Sequence, residues 1–527
     1  MAKIIFDPEL AQQLRTGTEK VGKLVSPNFG PLGRNTIRDQ KYDLPLVANS
    51  GRKVLKELAL PGDGENVSAV LLREAALNIS DHYGDGALTT AVLAQALIIA
   101  GQKLIAAGYN PMQLRKGIHA LLPQAGPLLE EMSVPLDDEL MEKFARVTAK
   151  NEEVGVNVVK ACRQVGTDGI ITVLDSQARE TVLNLWDGVR YDYGLYNMIF
   201  ATDGERKRAV LEKPYVLLCN VKIQNIRQIQ KILEDVVRQR ASLLIIAQDV
   251  SDEVMRILAA NAARGVLKVC IGKGPGFGDT RRRNMTALAA KTGSMLYEDG
   301  MGRTLEECGL EICAQVNYAE LDKDQTVLQG FTKENPELVE ILRKQTLEKR
   351  STVTDEDEVE KLELTLSILN GKTAEIQVGA VIEYEMFEKK YLYENTIRAV
   401  QNAAKSGLVP GAGSAFLWLG EKLRPEAEKL TGAEREGAVC LCEALAIPAK
   451  LLADNAGEDG NFIVKQLLEL GDPRKGYDVL DREITDLQEK GIMTPCNAAR
   501  SMVEIAVETA ASIWTTGAAV VSKKKPE

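Results

Sequence analysis

The hydrophobic pattern of this 527-residue chain changes period and then changes back. From about residue 10 to 131 apolar side chains recur at helical spacing, most clearly over 69–79, 89–107 and 114–132, with short extended pieces such as 36–38 between them. Ser133-Val134-Pro135 breaks that run, and the spacing predicts further helices over 136–148 and 153–165. Beyond Gly169 the pattern turns strand-like at 170–173 and 181–186. Continuous apolar runs at 216–218, 243–246 and 266–271, separated by helical stretches at 226–239 and 252–264, read as buried strands of an α/β unit between about Gly188 and Gly371. Within it, residues 331–369 read as a charged helical pair. Strand character returns at 374–381, helix at 389–406, and the last 120 or so residues are again helical. Two ends of one composition around a middle of another predict a helical domain built from both termini with the α/β unit inserted into it. At roughly 150 residues per domain the length allows about three to four folding units.

Composition narrows the function. Apolar residues make up 45% and charged residues 27%, as in a soluble globular protein. Lys and Arg number 65 against 75 Asp and Glu, a net charge of −10, which argues against nucleic-acid and anionic-membrane partners. The 8 cysteines include no C-x-x-C pair, so neither a zinc ribbon nor a thioredoxin-type centre is expected; they read as small buried apolar side chains in a reducing compartment. His82 and His119 are the only histidines, too few for a His-rich metal site. The N-terminus lacks a long apolar segment and a cleavage pattern, so a cytoplasmic protein is expected. The apolar stretches 87–108 and 501–521 are interrupted by Gln95 and Gln102, and by Glu504 and Glu508, and are not read as membrane spans.

Three glycine clusters are the places where chemistry fits, since no G-x-x-x-x-G-K-[ST] occurs. Gly30-Pro31-Leu32-Gly33-Arg34-Asn35 is a tight turn. Gly84-Asp85-Gly86-Ala87-Leu88-Thr89-Thr90 opens a long helix, where free N–H groups would receive a phosphate and Asp85 would either hold Mg²⁺ or cap the helix. Leu408-Val409-Pro410-Gly411-Ala412-Gly413 precedes another Ala-rich helix and reads equally as a ligand approach or as tight helix packing.

Together these clusters and the nested order resemble the group I chaperonins, the GroEL family, over nearly the whole chain. The likeness is carried by Gly30-Pro31-x-Gly33-Arg34-Asn35, by Gly84-Asp85-Gly86 with Ala91-Val92-Leu93-Ala94-Gln95, by Ala107-Gly108-Tyr109-Asn110-Pro111-Met112, by 243–249 and by Pro275-Gly276-Phe277-Gly278-Asp279, in the family's order and spacing. It implies a multidomain α and α/β fold: a helical equatorial nucleotide-binding domain at 1–133 and 408–527, a small α/β intermediate hinge domain at 134–187 and 372–407, and an inserted α/β apical polypeptide-binding domain at 188–371. The implied cofactors are ATP, Mg²⁺ and K⁺. The implied partners are non-native polypeptides, a co-chaperonin, and other subunits of a homo-oligomeric or mixed ring.

Transferred position by position, the resemblance gives a nucleotide site of Asn28, Phe29, Gly30, Pro31, Asn49, Asp85, Gly86, Ala87, Leu88, Thr89, Gly411, Ala412, Asp478, Val479, Leu480 and Thr494, with Asp85 as the Mg²⁺ ligand. Several positions depart from the family. Ala87 and Leu88 stand in its run of threonines, Asp478-Val479-Leu480 replaces Asn-Ala-Ala, and Thr494 replaces an acid. Ser50 and Asn395 stand where the family has its two catalytic-site aspartates. An amide does not accept a proton as a carboxylate does, so slowed hydrolysis is expected. Client binding is implied at Leu195, Ile199, Phe200, Leu233 and Met255, with Gln230, Ala259 and Ala260 at smaller or polar positions of the same surface; Leu233 and Met255 also read as core positions of amphipathic helices. The expected function is a polypeptide-binding ring with impaired hydrolysis. The alternatives are a fully active ATP-driven foldase and a scaffold for a dedicated partner.

Overall fold

The computed structural model describes residues 2–38, 46–48, 51–56, 58–166, 171–176, 178–202, 208–300, 302–353 and 355–522. The chain forms two compact units, Met1–Val159 with Phe387–Glu527, and Lys160–Met386.

The first unit is mainly a helix assembly around a large apolar core. Its central helix, Ala87–Ala106, is long and apolar enough to cross a membrane by length and composition alone. Here it packs against the Asp63–Tyr83 and Cys496–Trp514 helices, burying Ala91, Val92, Leu93, Ala94, Leu97 and Ile98. The abundance of alanine and glycine lets these helices approach closely. Gly117 and Gly437 show why: a Cβ on Gly117 would lie 1.9 Å from the Glu434 carbonyl oxygen, and one on Gly437 2.2 Å from that of Leu114. The Pro111–Glu131 and Gly432–Leu445 helices therefore pack backbone to backbone. Strand Ala2–Phe6 pairs antiparallel with Ala518–Ser522, so both ends of the chain belong to this unit.

The second unit contains the inserted α/β structure. Pro214–Ile223, Ser242–Val250 and Lys268–Lys273 are parallel neighbours, and the Gln230–Gln239 and Asp252–Ala263 helices make the crossovers. Leu243 to Ile246 are fully buried, which is why that run has no polar alternation. The Pro336–Thr352 and Glu356–Asn370 helices are the charged pair. Two antiparallel strands, Ala314–Leu321 and Thr326–Phe331, extend the sheet where no strand was expected. A three-stranded sheet of Ile171–Asp175, Lys372–Val378 and Val182–Asp187 also lies in this unit, whereas the Asp138–Ala149 helix lies in the first. The segments expected as a hinge domain are thus divided between the two units.

All eight cysteines are free and buried. Burial pushes the Cys162, Cys270, Cys313 and Cys440 thiols up to about 12 and Cys442 to about 11, which removes them as nucleophiles near neutral pH.

Candidate functional site

In the first unit the phosphate-type turns are set by backbone. The Asp63–Tyr83 helix ends on Gly84 at φ 82°, and Gly86, at φ 94°, is the N-cap of Ala87–Ala106 with no side chain capping it. Asp85 sits between these two left-handed glycines. It is therefore not the helix cap, and its carboxylate is exposed, with no partner among the described residues. One free carboxylate beside a helix N-terminus suits Mg²⁺, which is commonly held by one or two carboxylates, water and substrate phosphates. No group of three or more His, Cys, Asp or Glu among the described residues would hold a metal without such help.

The turn at 28–31 is held from beneath. Asn28 points inward, its Nδ2 donating to the Leu24 carbonyl at 2.6 Å and to Thr36 Oγ1 at 2.9 Å, and Phe29 is core, so these two residues offer backbone rather than side chains. Gly30 is left-handed, and Gly33 N–H donates to its carbonyl at 3.1 Å. Sequence reasoning assigned no role to the helix Ile447–Asn455, yet it supports both turns. Asn455 Nδ2 donates to the carbonyls of Ser26 and Phe29 at 2.8 and 2.9 Å, Leu452 lies under Gly30, and Ala449 lies under Gly413. Ser414 Oγ donates to the Lys475 carbonyl at 2.8 Å, tying the Gly411 turn to strand Lys475–Asp478.

Side chains expected to face a nucleotide divide into three groups. Ala87 is buried and Thr89 is half-buried in the first turn of the helix. Leu88 is turned onto Gly51, whose Cβ would lie 2.6 Å from Leu88 Cγ, and it packs against the core. Asp478 is buried, and its Oδ1 is already taken by the Leu480 N–H at 2.9 Å. Val479 is buried and Leu480 is 65% exposed. Thr494 pairs with Val409 in a two-stranded ribbon that brings it beside the Gly411 cluster. Asn49 and Ser50 lie outside the described residues.

Asn395 lies on the Glu383–Ser406 helix, which docks on the Gly84 turn. A Cβ on Gly84 would lie 2.4 Å from the Asn395 carbonyl oxygen, so only glycine permits this approach. The helix is held there by Lys389–Glu153 at 3.1 Å, by Asn157 Nδ2 donating to Tyr393 Oη at 2.9 Å, and by Asn402 Nδ2 donating to the His82 carbonyl at 3.3 Å. Lys53, on the helix Gly51–Leu55, pairs with Glu388 and stands 5.9 Å from the centre of the Tyr391 ring; burial lowers its pKa from the ordinary lysine value. The Asn395 Oδ1 is buried with no hydrogen-bond partner among the described residues.

Ala412 carries the backbone conformation that glycine prefers, at φ 49°. The left-handed region costs a residue with a Cβ about 1 to 2 kcal/mol, partly offset by glycine's greater freedom when unfolded. Ala412→Gly is expected to stabilise the protein by about 0.5 to 1 kcal/mol. Denaturant titration would check this, and an unchanged or lower midpoint would mean the turn is not strained.

In the second unit the positions implied for client binding are mostly interior. Leu195, Phe200 and Leu233 are 3%, 3% and 8% exposed and belong to the core, and Met255 is half-buried. Ile199 is 64% exposed. A groove of about 1110 Å³ runs along the Asp252–Ala263 helix; Ile199, Phe200, Ala259 and Ala260 line it, while Leu195, Leu233 and Met255 do not.

The profile of the TCP-1/cpn60 chaperonin family matches this chain over residues 21–524, a span that includes both units' candidate residues.

Proposed function

Because the chain belongs to the TCP-1/cpn60 chaperonin family, we propose that it binds non-native polypeptides as an oligomeric ring, that it retains a nucleotide site, and that its hydrolysis is impaired. The proposed division is equatorial at 1–133 and 408–527, intermediate at 134–187 and 372–407, and apical at 188–371. The proposed place of action is the cytoplasm. A co-chaperonin and a mixed ring with another chaperonin are further proposed partners.

The observation that carries the impaired-hydrolysis reading is the Asn395 amide, whose Oδ1 is buried without a hydrogen-bond partner among the described residues, on a residue whose backbone meets the Gly84 turn. A water attacking a phosphorus atom must lose a proton, and a carboxylate at this place would receive it, whereas an amide does not. Asp85 would hold Mg²⁺, with K⁺ as a second cation, and bound Mg²⁺ would supply neutralisation of phosphate charge. The turns at 28–31 and 84–89 would give backbone N–H groups to the phosphates. At the base end, the side chain of Asp478 is engaged by Leu480 N–H, which supports a loosened adenine preference.

Steady-state phosphate release at saturating Mg-ATP with K⁺ is expected to equal that of an Asp85→Ala variant. Turnover well above that background would overturn the reading in favour of a fully active foldase. Suppression of the aggregation of an unfolded client at equimolar subunits is expected too. Its absence would favour a scaffold for a dedicated partner.

A further inference from the structure

The groove along Asp252–Ala263 has a charge opposite to that of the chain. Among the described residues, four cations, Lys213, Arg240, Arg256 and Lys268, stand around it against one carboxylate, Glu212, in a protein of net charge −10. All four are exposed, and none has an ion-pair partner among the described residues. Elsewhere in this unit some cations are paired, as in Arg208–Glu320 at 2.6 Å, Lys222–Asp249 at 2.6 Å and Arg282–Glu298 at 2.9 Å, and others, such as Arg264 and Lys273, have no ion-pair partner among the described residues; what marks the groove is that four cations gather at one place. Among the described residues Arg256 donates only to the carbonyl of Asp252, its own helical neighbour. Lys213 and Arg240 sit at φ 46° and 52°, where glycine or asparagine would cost less, yet both positions carry a cation at the groove.

Between these charges the lining is mixed, with polar groups from Thr202, Gln239 and Gln315 beside apolar ones. Phe200, Leu211 and Leu267 are buried along it, Ile199 is exposed at its edge, and Ala259 and Ala260 leave the helix surface low. A compact anion would use the cations and leave Ile199 and the low alanine surface uncovered; a purely apolar segment would leave four charges without counterparts. An extended polypeptide in which carboxylates flank apolar side chains uses both.

We infer that this groove selects non-native segments in which Asp or Glu alternates with large apolar residues. The inference rests on the polypeptide-binding reading and adds to it a substrate class. Long-range attraction to a protein of charge −10 would favour a basic peptide, so a preference for an acidic one must come from charges within about one Debye length of the groove.

The test uses two fluorescein-labelled ten-residue peptides with the same alternating leucines, one with glutamate and one with lysine at the other positions, followed by anisotropy on the full chain. The glutamate peptide is expected to bind roughly tenfold tighter at about 50 mM salt, and the gap is expected to close at about 500 mM. In Arg256→Glu/Lys268→Glu, with folding verified by circular dichroism, the preference is expected to invert. Equal affinity at both salt concentrations would overturn the charge selection while leaving polypeptide binding in place. Failure of both peptides and of an unfolded protein to bind would overturn both readings. Displacement of the glutamate peptide by a single-stranded oligonucleotide at lower concentration would overturn the inference in favour of a nucleic-acid site.

Discussion

Replacing Ser50 and Asn395 together by aspartate is expected to raise steady-state phosphate release by about 10²- to 10⁴-fold over the natural chain, the usual worth of a general base in place. The two substitutions are nearly isosteric at 395 and small at 50, so the gain tests chemistry rather than repacking. Geometry favours the exchange at 395. The helix that carries it is docked on the Gly84 turn through the Asn395 backbone carbonyl, which places residue 395 beside that turn. The Asn395 Oδ1 has no partner to lose among the described residues, and an ionised oxygen there would gain from any N–H or water that a bound nucleotide brings. Asp85 is exposed beside the same turn, with no partner among the described residues. Asn395→Asp alone should recover part of the gain, and Asp85→Ala in the same background should abolish it. If the double variant stays at the Asp85→Ala level while still binding nucleotide, the defect lies elsewhere in the site, with Leu88 next in line.

Parts of this architecture were legible because the signal is local. Leu243 to Ile246 could be read as a buried strand from four successive apolar residues, and each is fully buried. The Gly84-Asp85-Gly86 triplet could be read as a turn opening a helix, but its two readings for Asp85 differed only in where the carboxylate points. That direction follows from Gly86, not Asp85, being the N-cap. What was not legible is contact at long range. Asn455 holds the carbonyl of Phe29, 426 positions away in sequence, and nothing around Asn455 marks it. The strand Ala314–Leu321 does alternate, burying Ala314, Val316, Ala319 and Leu321, but Tyr318 breaks the strict period and its partners lie up to about a hundred residues upstream. Client positions were ambiguous for a related reason. Leu195, Phe200 and Leu233 are as apolar as a binding surface requires, and a core requires the same, so composition does not separate the two.

Leu88→Thr is expected to raise nucleotide affinity roughly tenfold while lowering stability by about 1 kcal/mol, two effects of opposite sign from one side chain. Leu88 is half-buried in the first turn of Ala87–Ala106, packed against the core and laid over Gly51, the residue that follows the undescribed pair Asn49 and Ser50. It thus covers with methyl groups a place where the proposed phosphates need donors. A threonine keeps one methyl for the contact with Gly51 and adds a hydroxyl; a hydrogen bond to a charged acceptor is worth about 1.5 to 3 kcal/mol. The two lost carbons are felt in packing, because the helix they belong to is central to this unit. Calorimetric titration with ATP and Mg²⁺ gives the affinity, and thermal unfolding without nucleotide gives the stability. A fall in stability with no gain in affinity would place the phosphates away from Leu88 and leave it a core residue. A gain confined to the chain that also carries Asn395→Asp would mean that binding and the water-activating position are coupled across the Gly84 turn, and the two substitutions should then be non-additive.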